Sequence, residues 1–145
     1  MNSQTKFSVA PMMDWTDRHC RYFHRLMSKN AQLWTEMITA KAVIYGDKNR
    51  LLDYDAQEHS LVLQLGGSDP KEMATAAKVG QDWGYDEINI NVGCPSDRVQ
   101  SGSFGACLMQ TPDTVAQCIE AMGEVVDISL SVKSRIGVDD MQNYE

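Results

Sequence analysis

Strand-like and helix-like stretches alternate along this chain, and that alternation limits the fold more than any other feature. Short β-rich runs occur at Phe7–Ala10, Leu33–Ile38, Leu61–Leu65, Glu87–Val92 and Ile128–Lys133. Leu61–Leu65 is nearly continuous in apolar character, as expected of a strand covered on both faces. Helical patterns lie between several of these runs. One opens at Asp69-Pro70-Lys71-Glu72, where Asp69 can cap, Pro70 suits the first turn and Glu72 completes a capping box. Its apolar residues Met73, Ala76, Ala77 and Trp83 keep helical spacing, and Gly84 suits its end. Another starts at Thr111-Pro112 with Val115, Cys118, Ile119 and Met122 on one face. An earlier one, from about Thr16 to Asn30, is predicted to turn Cys20, Phe23 and Met27 inward.

Strands that alternate with helices imply βαβ crossovers and a parallel sheet. An open doubly wound sheet and a (β/α)8 TIM barrel are the competing forms. The open sheet expects a glycine-rich turn after the first strand, whereas Ala10 is followed here by Pro-Met-Met-Asp-Trp. Gln64, Asn91 and Lys133 instead set polar groups near the ends of different strands, the pattern of a barrel's C-terminal face. A barrel needs about 250 residues and eight strands, and 145 residues supply about five βα units. The chain therefore reads as the N-terminal part of a TIM barrel, one partial catalytic domain over 1–145 with no linker and no stop signal at Met141–Glu145.

Composition narrows the function classes. A hydrophobic share of 43% and a charged share of 23% are ordinary for a globular chain and argue against disorder. No apolar run approaches the ~20 residues that cross a bilayer. The segment Met1–Phe7 has no apolar core of a secretory signal, so a cytoplasmic location is expected. Thirteen basic against twenty acidic residues give a net charge of −7, which by itself argues against nucleic-acid binding. Cys20, Cys94, Cys107 and Cys118 form no C-x-x-C pair and no cluster with histidine, so no metal site is expected and free thiols are. Arg18, Arg21, Arg25 and Lys29 make a basic stripe on the first helix, read here as a solvated face. His19, His24 and His59 show no metal spacing.

The most unusual stretch runs from Ile88 to Gln100, where a strand enters Gly93-Cys94-Pro95 and then a polar loop through Ser101–Gly105. Gly93 and Pro95 constrain the backbone around the thiol, and a connection this long is commonly functional. The thiol can be a nucleophile, a general acid or a buried loop cysteine. No histidine lies within ten residues to activate it. A thiol of ordinary acidity, ionising near ~8.5, holds its proton at neutral pH and can donate it. Gln64, followed by Gly66-Gly67, can bond the edge of a planar heterocycle or simply cap a turn. Lys133 and Arg135 can meet an anionic ring or a phosphate.

Four segments together carry a resemblance: Val9-Ala-Pro-Met-Met-Asp-Trp-Thr-Asp17, Gln64-Leu-Gly-Gly67, Asn89-Ile-Asn-Val-Gly-Cys-Pro-Ser-Asp-Arg98 and Val132-Lys-Ser-Arg-Ile-Gly137. They closely resemble the tRNA-dihydrouridine synthases. Cys-Pro-Ser-Asp-Arg-Val-Gln and Trp-Thr-Asp-Arg-His-Cys-Arg resemble the A-type bacterial branch, which acts on D-loop uridines at positions 20 and 20a. The resemblance spans the chain but not the family's later barrel strands or its helical tRNA-binding domain. It implies a flavoprotein oxidoreductase in which NADPH reduces FMN, hydride passes to C6 of a uracil in tRNA, and a cysteine, here Cys94, protonates C5. It further implies that Pro11, Met12 and Met13 lie beside the flavin ring and that Gln64 and Lys133 bond its polar edge. Asn91 and Arg135 are then expected at the target nucleotide, which must be flipped out of its stack. A chain holding only this part is expected to be inactive alone. A related FMN barrel acting on a free pyrimidine, such as a dihydroorotate dehydrogenase relative, and a non-catalytic remnant are the alternatives.

Overall fold

A computed structural model describes residues 7–96 and 104–137. Its sheet is entirely parallel, and its strands lie side by side in the order in which the chain makes them. The first member is a single bridge, Ser8 to Gln32, rather than the strand expected over Phe7–Ala10. The second expected strand is divided into β1 (Leu33–Trp34) and β2 (Ile38–Thr39), both paired to β3 (Leu61–Gly66). β4 (Glu87–Val92) has the predicted bounds, and β5 (Ser129–Ser134) completes the sheet. A doubly wound sheet reverses its strand order at a switch point. No reversal occurs among the described residues, and the architecture is that of a partial TIM barrel.

The division of the second strand is a bulge. Trp34 is opposite Val62 and Ile38 opposite Leu65, so three residues face two. Thr35 lies inside it and substitutes a side chain for the missing ladder group: its Oγ1 accepts the Gln64 N–H at 3.0 Å.

The helices are α1 (Arg18–Met27), α2 (Ala40–Tyr45), α3 (Lys48–Leu52), α4 (Pro70–Trp83) and α5 (Pro112–Gly123). α4 packs between α2 and α5. Together they cover the sheet face formed by Leu61, Leu63, Leu65, Ile88, Ile90 and Val92, whose side chains are buried with Val43, Met73, Ala77, Cys118 and Met122. At about 25 cal/mol per Å² of apolar surface removed from water, this layer is the main source of stability. Asp69 caps α4 as predicted, accepting from Lys71 and Glu72 N–H at 2.9 Å. Glu72 does not complete the box, because its carboxylate faces Lys41 Nζ at 3.7 Å. The full capping box belongs to the short 3-10 turn Ala56–Glu58.

α1 departs from the sequence expectation. Phe23 and Met27 are 58% and 63% exposed, whereas Arg21 and Arg25 are 5% and 8% exposed. Cys20 is half-buried. The predicted solvated basic stripe therefore holds only at Arg18 and Lys29. What reverses the helix is a partner distant in sequence. Arg21 Nε donates to Glu58 Oε2 at 2.6 Å, and its Nη1 and Nη2 donate to the carbonyls of Thr16 and Asp53. Arg25 donates to the carbonyls of Gln57, Ser28 and Glu58. A buried guanidinium is tolerated only when its donors are matched in this way.

Candidate active site

Side chains alternate across a strand. With Leu61, Leu63 and Leu65 facing the helices, Val62, Gln64 and Gly66 face the other way; on β4 the same rule presents Glu87, Asn89 and Asn91. Their partners on β5 are Ser129, Ser131 and Lys133. On β4 and β5 the inner face is therefore polar where the outer face is mostly apolar, with Gln64 the polar member from β3, which suits the lining of a site.

These residues bond to one another in series. Asn91 Nδ2 donates to Gln64 Oε1 at 2.9 Å, Gln64 Nε2 to Asn89 Oδ1 at 2.8 Å, and Asn89 Nδ2 to Ser131 Oγ at 2.9 Å. Ser131 donates in turn to Glu87 Oε1 at 2.5 Å. Gln32 Nε2 reaches the other carboxylate oxygen at 3.1 Å and accepts from Ser8. Gln64 and Asn89 are fully buried. Gln64 lies two residues before the end of β3 rather than at it. Asn89 and Glu87 carry no assignment from sequence, although the alternation Glu-Ile-Asn-Ile-Asn already placed all three polar residues on one face.

At the C-terminal end of β4 the chain turns through Gly93 and Cys94. Asn91 Oδ1 accepts both of their N–H groups, at 3.1 and 2.9 Å. The Cys94 carbonyl accepts Ala106 N–H at 2.9 Å, which closes the base of the long loop. Residues 97–103, inside the loop that the sequence singles out, lie outside the described residues. The Cys94 thiol is half-buried, 3.6 Å from Ser96 Oγ. Arg135 Nε donates to the Gly93 carbonyl at 2.6 Å. Its side chain lies so close over Gly93 that a Cβ there would sit 3.3 Å from Arg135 Cγ.

Gln64, Asn91, Cys94 and Arg135 are thus tied together, and Lys133 stands opposite Asn91 in the ladder with its ammonium exposed. Pro11, Met12 and Met13 follow the bridge at Ser8, at the same end of the parallel sheet. Among the described residues no hydrogen bond joins them to the cluster. Met12 is clamped by Thr16, whose Oγ1 accepts its N–H at 3.0 Å and donates to its carbonyl at 3.1 Å. The side chains of Met12 and Met13 stay exposed.

A separate groove of about 400 Å³ lies between α1 and residues 53–58, lined by Arg18, His19, Tyr22, Asp53, Tyr54, Asp55 and Glu58. It shares no residue with the strand-end cluster, and two of its charged side chains, Arg18 and Asp53, already pair with each other. Among the described residues no group of His, Cys, Asp or Glu is placed to hold a metal. No helix among them is long and apolar enough to cross a membrane.

Fold and site together define a class: part of a βα barrel whose polar residues gather at the C-terminal ends of its strands. The dihydrouridine synthase (Dus) family model matches residues 8–145, and the chain belongs to that family. It is 61% identical over 145 residues to the tRNA-dihydrouridine(20/20a) synthase of Vibrio parahaemolyticus, covering 100% of this chain and 44% of that protein. The protein of the same description from Xanthomonas campestris is 61% identical over 139 residues, 96% of this chain and 42% of its own length. That of Synechocystis is 59% identical over 144 residues, 99% of this chain and 43% of its own length. The chain therefore spans less than half the length of these curated relatives.

Proposed function

We propose that this chain carries the catalytic face of an enzyme that reduces uridine to 5,6-dihydrouridine in tRNA, at D-loop positions 20 and 20a, with FMN as cofactor and NADPH as reductant. The observation that carries the reading is the clamp of Cys94 by Asn91 beside Gln64. Such a site needs an acid held at a fixed place against a planar, hydrogen-bonding ring.

The donor set suits a flavin ring. Gln64 retains one N–H and one oxygen lone pair beyond its bonds to Asn89 and Asn91. Lys133 offers an ammonium with no ion-pair partner among the described residues, and Met12 and Met13 offer exposed apolar surface at the same sheet end. When bound, FMN would supply the hydride that reaches C6 of the uracil. Cys94 Sγ then gives its proton to C5, which completes the saturation of the 5,6 bond and leaves a thiolate to be reprotonated from solvent. Asn91 holds the Cys94 backbone and so the thiol's origin, and Arg135 braces the same turn from the far side through the Gly93 carbonyl. In this reading Asn91 and Arg135 also border the space for the target nucleotide. Pro11 introduces the turn that carries Met12.

The partner is tRNA, and the acidic balance of the chain gives it little long-range attraction to phosphates. The flipped base is held by the site rather than by net charge.

The test is Cys94→Ala in a full-length family protein carrying this segment. Flavin content and NADPH oxidation should persist while dihydrouridine formation falls ~10²–10⁴-fold, the usual contribution of a general acid. Dihydrouridine formation at the parental rate would refute the assignment.

A further inference from the structure

We propose that Glu87, at the opposite end of β4 from the cysteine turn, is a positioning residue that fixes the amide polarity of Gln64 and Asn91 through Ser131 and Asn89.

The argument concerns donors and acceptors. An ionised carboxylate only accepts, whereas a hydroxyl or a carboxamide can be turned to do either. Ser131 Oγ must therefore direct its single hydrogen at Glu87 Oε1, leaving only lone pairs for Asn89. Asn89 must meet it with Nδ2, so Asn89 Oδ1 faces Gln64. Gln64 must then present Nε2 to Asn89 and Oε1 to Asn91. Asn91 answers with Nδ2, and its Oδ1 is left for the N–H groups of Gly93 and Cys94. Backbone amides only donate, so the series has a fixed acceptor at one end and fixed donors at the other. Every joint along the series agrees, with Lys133 N–H, 3.3 Å from Asn89 Nδ2, the one neighbouring donor that does not.

The opposite orientation of Asn89 has a local attraction, since its NH2 would donate to the Ile90 carbonyl at 3.2 Å and its oxygen would accept from Ser131 Oγ at 2.9 Å and Lys133 N–H at 3.3 Å. It would also set the Asn89 NH2 against the Gln64 NH2 at 2.8 Å. Two donors face to face in a fully buried place leave a polar group unsatisfied, unless Gln64 and then Asn91 turn as well. Asn91 cannot turn without presenting its NH2 to two backbone N–H groups. Glu87 makes the working orientation the cheaper one. β4 rises about 3.3 Å per residue, so the carboxylate acts from about 13 Å below Asn91. The consequence for a flavin rests on the proposed function; the series of bonds does not.

The test uses the chain itself, labelled with nitrogen-15, and the side-chain NH2 signals of Gln64, Asn89 and Asn91. Ser131→Ala cuts the series, Glu87→Gln removes its fixed acceptor, and Ser131→Thr keeps the hydroxyl. Ser131→Ala and Glu87→Gln should shift the Gln64 and Asn91 NH2 signals and speed their hydrogen exchange, while Ser131→Thr should keep them near their parental positions. A role confined to local packing would disturb Gln32 and Asn89 and leave Asn91 unmoved, and that result would overturn the proposal. So would equal effects of alanine and threonine at position 131. Titration of a full-length family protein carrying this segment with FMN gives a second reading, in which Ser131→Ala weakens binding about fivefold, the worth of one net hydrogen bond. If that parental protein takes up no FMN, the flavin-binding reading of these residues fails, and the amide signals still decide the role of Glu87.

Discussion

Replacing Arg21 with alanine removes more than a charge from α1. The guanidinium satisfies the Glu58 carboxylate and the carbonyls of Thr16 and Asp53 in one buried fork, with side-chain exposures of 6% and 1% for Arg21 and Glu58. In the variant, Glu58 keeps the Asp55 N–H on Oε1, but its charge loses the only cation in contact with it among the described residues. Breaking a buried pair from one side costs about 3–5 kcal/mol, because the remaining charge stays desolvated. With a urea slope of about 2 kcal/mol per molar, the unfolding midpoint should fall by about 2 M. Far-UV circular dichroism across a urea series measures it. The neighbouring Arg18–Asp53 pair is about half-exposed on both sides, so Arg18→Ala serves as a control expected to cost about 1 kcal/mol or less. Changing both members of the buried pair to apolar residues should recover much of the loss. The effect also reaches the candidate site, since Arg21 holds the Thr16 carbonyl while Thr16 Oγ1 clamps Met12. An Arg21→Ala midpoint within about 0.3 M of the parent, roughly 0.6 kcal/mol on that slope, would refute the reasoning.

Other outcomes follow from single contacts. Burial pushes the Tyr85 phenol well above its ordinary value, opposed in part by the Arg21 charge. Unfolded tyrosine ionises near ~10 while folded Tyr85 stays protonated, so stability is intact below that pH and falls as pH rises past it. Tyr85→Phe should lessen the fall in urea midpoint between neutral pH and pH ~11, and some slope should remain because Tyr54 is raised as well, chiefly by burial. Gly84 ends α4 at φ 104°, and a Cβ there would lie 2.5 Å from Tyr54 Oη. Gly84→Ala should therefore cost about 1–2 kcal/mol by thermal or urea unfolding, and no measurable loss would show that the helix end can rearrange freely.

The parts of the fold that are legible in the sequence are those whose causes are local. α4 announces itself through Asp69, Pro70 and Gly84, and β4 through strict alternation, and both have the bounds the residues imply. The family motifs likewise mark Gln64, Asn91 and Cys94, which the structure brings into one bonded group. α1 is different because its orientation depends on Glu58, 37 residues beyond Arg21. Periodicity ranks phenylalanine and methionine above arginine for the interior, and nothing near α1 reveals a carboxylate and a row of carbonyls waiting for guanidinium groups. α2 and α3 were not expected because they are short and follow directly on a strand; Thr39 and Asp47, which cap them, are their only strong local signals. Glu87 and Asn89 were visible as a pattern but not as a function, since their roles depend on Ser131 across the sheet.

The extra residue in the second strand works as a parity switch. Before it, Gln32 and Trp34 point to the polar side of the sheet, because Leu33 stands opposite Leu61 on the helix side. After it, Ile38 stands opposite Leu65, so the odd-numbered Met37 and Thr39 take the polar side instead. Met37 then comes to rest against Gly66, where a Cβ would meet its sulfur at 2.9 Å. An uninterrupted strand would send Glu36 and Ile38 into that space, one a charge and the other a branched hydrocarbon. Flattening the bulge with every residue kept would therefore shift the chain by little more than ~3 Å yet exchange the lining of one wall of the site, whereas deleting one residue between Trp34 and Ile38 would keep it.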